Sequence, residues 1–148
     1  MSASVKHAVD DVPVEQVWAR LQADPKAILI DVRTRAEWTF VGTPELSTLG
    51  RKLVLVEWQS FPESSRNAAF REQLVAELDA LGADRETELF FICRSGARSR
   101  LAAGVAAEAD YKKCHNVAEG FEGPLDPKSH QRGHSAGWKA AGLPWSQG

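Results

Sequence analysis

Apolar residues recur along this chain at two periods, near four in some stretches and in short unbroken runs in others, and the two predict a succession of helices and strands. Early on, His7 to Val9 is expected to form a short edge strand. Pro13 then stands where a first helical turn tolerates a missing N–H. Val14, Val17, Trp18 and Leu21 follow at i, i+3, i+4 and i+7, which predicts an amphipathic helix ending near Asp24, before Pro25. AILIDVR at 27–33 reads as a strand buried on both faces, because its apolar, β-branched run shows no alternation until polar residues close it.

The same reading continues to the carboxyl terminus. RAEWTFV at 35–41 predicts a short helix, GTPELSTLG a series of turns, and KLVLVEW at 52–58 another strand. Phe70, Leu74, Val75, Leu78 and Leu81 mark a helix that Gly82 closes. ELFFIC at 88–93 is the expected central strand, with four consecutive apolar residues that call for helices on both faces. Ala97, Leu101, Val105 and Ala109 then recur every four residues, with Ala102 and Ala106 beside them, and predict a small-residue helix face that approaches the sheet closely. CHNVAE at 114–119 is a last strand, followed by a long Gly- and Pro-containing loop and a short helix over 138–141. Strands alternating with helices in this order predict an α/β domain with a mainly parallel sheet.

Composition narrows the classes. A chain of 148 residues is long enough for one domain with a single core and too short for two ordinary ones. Eighteen Lys and Arg against 20 Asp and Glu give a net charge of −2, which suggests neither a nucleic-acid footprint nor a polybasic membrane surface. No apolar run reaches the roughly 20 residues that span a bilayer, and MSASVKHAVDD lacks the apolar core of a secretory signal, so the expected location is the cytoplasm. There the two cysteines, Cys93 and Cys114, are expected to stay reduced.

Candidate chemistry concentrates in LFFICRSGARSR at 89–100. Cys93 ends a buried strand and faces the backbone N–H groups of a tight turn and of a helix N-terminus, a setting that stabilises a thiolate and cradles anions. Arg94 and Arg98 add donors suited to sulfur or phosphorus oxyanions. The loop is fitted to a thiolate attacking an anionic substrate, or to a persulfide left on it; a buried structural cysteine with solvated arginines nearby is the plain alternative. Polar residues at the carboxyl end of the earlier strand and just after it, Asp31, Arg33 and Glu37, are candidates for the same site or for a structural ion-pair network. Trp58, at another strand end, is either a pocket wall or a cap on the core.

CRSGARS resembles the active-site loop of rhodanese sulfurtransferases, and DVRTRAEW at 31–38 resembles that family's other characteristic stretch. EGFEGPL at 119–125 is similar to its glycine-containing loop after the last strand, and GWKAAGLPW to its usual ending. The resemblance runs over nearly the whole chain and implies a single three-layer α/β/α domain with five parallel strands over 1–148. It further implies that Cys93 takes a sulfane sulfur from a small anionic donor such as thiosulfate, carries it as a persulfide, and passes it to a thiol, on a small molecule or a protein, or to cyanide. Backbone N–H groups of Arg94, Ser95, Gly96, Ala97, Arg98 and Ser99 would hold the persulfide; Arg94 and Arg98 would steer the donor, with Asp31, Arg33 and Glu37 in support. No cofactor, metal, nucleic acid or membrane is implied, and the oligomeric state is left open.

Two features qualify the resemblance. Where many members carry Gly-His-Ile-Pro-Gly-Ala, this chain reads FVGTPELSTLGRKL, so the pocket wall contributed by 40–51 is not assigned by it. FVGTPEL and VEWQSFP instead resemble a bacterial rhodanese-like subgroup. The rival chemistry is that of cysteine phosphatases, which place five residues between Cys and Arg, whereas Arg98 follows Cys93 after four. The shorter loop makes a smaller cradle, better suited to sulfur. Arsenate reduction and a non-enzymatic persulfide carrier or redox sensor use the same thiol. His130 and His134 have a metal-like spacing but no nearby third ligand, and Cys114 reads as a small core residue.

Overall fold

The structure is a computed structural model and describes residues 9–59, 65–132 and 136–147. Five strands build one sheet, centred on two whose apolar runs are buried on both faces, ILID and ELFFI. The five are β1 (Asp10–Val12), β2 (Ile28–Asp31), β4 (Val54–Leu55), β5 (Glu88–Ile92) and β6 (Lys113–Val117), paired in the order β1-β6-β5-β2-β4 with every pair parallel. The expected three-layer α/β/α architecture follows from the two faces of β5. Leu89 and Phe91 point into a core shared with α3 (Phe70–Ala80) and α4 (Ala97–Glu108), whereas Phe90 and Ile92 point into a second core with Val14, Val17 and Leu21 of α1 (Val14–Ala23). A strand buried on both faces has no polar side to expose, which is why its sequence shows no alternation. A short helix, α2 (Arg35–Phe40), leaves the end of β2, and β3 (Thr43–Pro44) with β7 (Trp145–Ser146) forms a separate two-stranded antiparallel sheet.

Several expectations shift in detail. Among the described residues the first strand is Asp10–Val12, with Asp10 beside His115 of β6, and Val9 stands outside it; His7 and Ala8 of the expected 7–9 strand fall outside the described residues. The strand expected over 52–58 is ladder-paired only at Val54–Leu55, although Val56 N–H and Trp58 N–H still donate to the carbonyls of Asp31 and Val32. In α4 the face against the sheet is Ser99, Ala102, Ala103 and Ala106, and Leu101 is 59% exposed. The helix expected over 138–141 is a set of turns: Gly137 at φ 101° and Gly142 at φ 74° bracket it, and neither conformation continues a helix. Trp138 nonetheless seats fully in the α1-side core, where it meets Trp18 edge to face. Phe121 and Trp138 thereby anchor the described ends of the long loop after β6 in that core.

Candidate active site

Parallel strands deliver their carboxyl ends to one edge of the sheet, and here β2, β5 and β6 bring three groups of predicted residues together. Cys93 follows β5 directly. Its side chain continues the α4-facing set of Leu89 and Phe91, so its sulfur lies against the first turn of α4. Gly96, at φ 116°, lets the chain turn sharply into that helix, and its N–H donates to Cys93 Sγ at 3.1 Å. The Ser99 hydroxyl lies 3.2 Å from the same sulfur. Cys93 is 1% exposed.

The carbonyls behind this loop are clasped by the segment after β6. Phe121 N–H donates to Cys93 O at 2.8 Å, and Glu122 and Gly123 N–H both donate to Arg94 O, at 3.0 and 3.1 Å. The backbones approach so closely that a Cβ on Gly120 would stand 2.5 Å from Cys93 O. Gly120 of EGFEG thus permits the contact that fixes the Cys93 loop.

The DVRTRAEW residues divide between two tasks. Asp31 and Arg33 are fully buried: Arg33 Nη2 donates to Asp31 Oδ2 at 2.7 Å and to Gly42 O at 2.6 Å, its Nε donates to Asp31 Oδ1 at 3.0 Å, and its Cζ lies 4.3 Å from the Phe121 ring centroid. That pair belongs to the ion-pair reading; it ties β2 to the Gly42 turn and to the clasping loop and does not line the cleft. Removing one partner of such a pair leaves a buried charge uncompensated, at a cost of roughly 3–5 kcal/mol. Glu37 does reach the site. It closes a capping box with Thr34 at the start of α2 and accepts a fork from Arg98, Nη1 to Oε1 at 2.8 Å and Nη2 to Oε2 at 3.0 Å.

This pairing has an acid limit. Burial by itself raises the Glu37 pKa, but the Arg98 hydrogen bonds, the Thr34 N–H and the charges of Arg98 and Arg33 outweigh it and bring the carboxyl from its ordinary 4.5 to about 2. Burial likewise works against the Arg98 charge, and Glu37, with smaller contributions from Cys93 and Asp31, overcomes it and raises the Arg98 pKa. A depressed acid contributes stability that is complete above its unfolded value and is lost as pH falls through its folded one. Thermal melts should therefore show the wild type more stable than Glu37→Gln by roughly 2 kcal/mol near neutrality. The two should converge as pH falls from 4.5 towards 2.

An open cleft of about 550 Å³ lies over the loop, lined by Arg94, Arg98, Glu37, Phe40, Gln59 and Arg132 among others. Arg98 is committed to Glu37. Arg94 is exposed and makes no ion pair among the described residues; Arg132 holds Gly123 O at 2.8 Å through Nη1 and also has no carboxylate partner among them. Phe40 stands 75% exposed at the rim. Trp58 is buried in the core against Phe70, with Arg66 over its ring, and its neighbour Gln59 supplies that side of the cleft. Cys114 is a buried core residue whose thiol is pushed up to about 12 by burial, and it is not joined to Cys93. His130 is exposed in its loop, and His134 falls outside the described residues.

The sequence profile of the STR4 middle domain matches residues 10–148. The chain belongs to that family. The rhodanese-like assignment agrees with a 26% identity to the chloroplastic rhodanese-like domain-containing protein 4 of Arabidopsis thaliana, over 88% of this chain and 24% of that protein. An uncharacterized protein of Rickettsia conorii is 33% identical over 93% of this chain and 98% of its own length. The crystal structure of Rv0390 from M. tuberculosis superposes on this rhodanese-like domain with a TM-score of 0.85, at 44% identity, over 96% of this chain and 99% of that one. The chain is thus a rhodanese-like domain in family and fold.

Among residues not singled out from the sequence, Gln59 and Glu122 lie within the VEWQSFP and EGFEGPL segments, and Phe40 and Arg132 line the same cleft. Asn116 stands in the mixed strand KCHNV, where its alternation with Cys114 was its one signal.

Proposed function

We propose that this rhodanese-like domain transfers sulfane sulfur through a persulfide on Cys93, from a small anionic donor such as thiosulfate to a thiol or to cyanide. The observation that carries this reading is the Gly96 N–H donating to Cys93 Sγ at 3.1 Å at the start of α4, where helix and turn together favour negative charge on sulfur. In the first half-reaction the thiolate attacks the outer sulfur of thiosulfate. A new S–S bond forms, the old one breaks, and sulfite leaves with the electron pair. In the second, an acceptor thiolate or cyanide attacks the outer sulfur and the Cys93 thiolate leaves. Charge is conserved at each step, and both balance without a cofactor. Arg94 and Arg132, the cations of the cleft without a carboxylate partner among the described residues, attract the donor. A cytoplasmic setting, where thiols stay reduced, suits the chemistry.

Incubation with thiosulfate should add the mass of one sulfur to the intact protein, and cyanide should remove it as thiocyanate. Since burial keeps Cys114 a neutral thiol, the addition should map to Cys93. No cyanide-reversible addition, or robust turnover of a phenyl phosphate, would overturn the proposal.

A further inference from the structure

Cys93 is wired to the sheet edge by a run of hydrogen bonds that the transfer reaction itself does not require. Asp11 of β1 and Asn116 of β6 are register partners, and Asn116 is 3% exposed. Asn116 Nδ2 donates to Asp11 Oδ1 at 2.9 Å, and the Ser99 hydroxyl lies 2.5 Å from Asn116 Oδ1. Asp11 also pairs with Arg100. We propose that Asp11 is a positioning residue: acting through Asn116, it turns the Ser99 hydroxyl away from Cys93 and so favours the sulfur-loaded cysteine over the bare thiolate. The proposal rests on the reading of Cys93 as a sulfur carrier.

The argument is one of counting donors. The Asn116 hydrogen bond and then Arg100 lower the Asp11 pKa below the usual carboxylate range, so its oxygens only accept. The amide nitrogen of Asn116 must therefore face Asp11, which turns its oxygen towards Ser99. That oxygen can only accept, so Ser99 must donate to it. A serine hydroxyl has one hydrogen and here three acceptors, Asn116 Oδ1 at 2.5 Å, Gly96 O at 3.2 Å and Cys93 Sγ at 3.2 Å. The shortest contact takes the hydrogen, and the lone pairs of Ser99 are left facing sulfur. Beside a bare thiolate this is unfavourable. After loading, the charge sits on the outer sulfur, about 2.05 Å further out, and Sγ is a neutral divalent sulfur that asks for no O–H.

Asp11→Asn removes the one-way constraint, because an amide accepts as readily as it donates. Asn116 can then turn over and donate to Ser99, which frees the hydroxyl hydrogen for the thiolate. Loading leaves the protein's charge unchanged, since the thiolate becomes a persulfide anion and thiosulfate leaves as sulfite, so the lost charge at position 11 largely cancels from the equilibrium. The test equilibrates wild type, Asp11→Asn, Arg100→Gln, Ser99→Ala and the Asp11→Asn/Ser99→Ala double variant with fixed ratios of thiosulfate to sulfite, and reads the loaded fraction by intact mass. The loaded-to-unloaded ratio should fall roughly tenfold in Asp11→Asn, the worth of one hydrogen bond to an ionised group. It should stay near wild type in Arg100→Gln. Asp11→Asn should shift nothing further once Ser99 is alanine.

An unchanged ratio in Asp11→Asn, an equal shift in the Ser99→Ala background, or a matching shift in Arg100→Gln would overturn the inference while leaving sulfur transfer intact. Failure of the wild type to load would remove the carrier reading and the inference together. The Asp11 side chain lies at the surface, so its isosteric replacement leaves the core untouched; a role limited to folding would move the melting temperature and not the ratio.

Discussion

Cys93→Ser is expected to abolish thiocyanate formation from thiosulfate and cyanide, by at least roughly a thousandfold, while the protein remains folded. The two atoms differ far more in chemistry than in size. A serine oxygen at this position keeps the Gly96 N–H as donor and Ser99 as neighbour, so no polar group is stranded in the core. What is lost is the nucleophilicity of sulfur and its ability to form a sulfur–sulfur bond. The matched control is Cys114→Ala, which removes a core thiol bonded to Tyr111 O and should lower the melting temperature while leaving turnover per folded molecule unchanged. Steady-state rates with circular dichroism on both variants check the pair; comparable losses in both would point away from Cys93 as the carrier.

Gly120→Ala should cost on the order of 3 kcal/mol of stability and disorganise the active loop. Two independent penalties coincide there. Gly120 sits at φ +63°, and its added methyl would stand 2.5 and 2.6 Å from the carbonyl oxygens of Cys93 and Arg94. Those are backbone atoms held by Phe121, Glu122 and Gly123 N–H, so they cannot rotate aside as a side chain would. Against a typical total of about 5–15 kcal/mol the change is large but survivable. Denaturant melts should show the loss, and the folded fraction should load sulfur poorly because the Gly96 N–H is displaced from Sγ. By contrast Gly82→Ala, at φ +77° with open space around its Cβ position, carries only the conformational penalty and precedes β5, at the other end of that strand from Cys93.

The large features were legible because they rest on short-range pattern. The unbroken LFFI of β5 and the i, i+3, i+4, i+7 spacing of α1 each require a buried environment, and the fold supplies it. The Cys93 loop and the Glu37 position were readable for the same reason, being local. Misreadings came where volume and hydropathy parted. In α4 the large residues are Leu101 and Val105, yet Ser99, Ala102, Ala103 and Ala106 face the sheet, because only small residues fit a helix whose first turn must lie against Cys93. The β3 and β7 pairing joins two-residue segments about a hundred positions apart and has no periodicity to find. Asn116 sits two residues beyond Cys114, on the same face of β6, and strand alternation alone would have turned it towards α4. Arg132 reaches the cleft only through the path of a long loop, which sequence spacing does not encode.

The small sheet of Thr43–Pro44 with Trp145–Ser146 has a practical corollary. Glu45 N–H donates to Pro144 O, and Gln147 Nε2 donates to the carbonyl of Phe40, the aromatic residue at the cleft rim. Residues 145–147 are thus stitched to the mouth of the cleft. Disturbing this segment would unpick the rim before it touched the core, so a change made a hundred positions from Phe40 can reshape the entrance to the Cys93 loop.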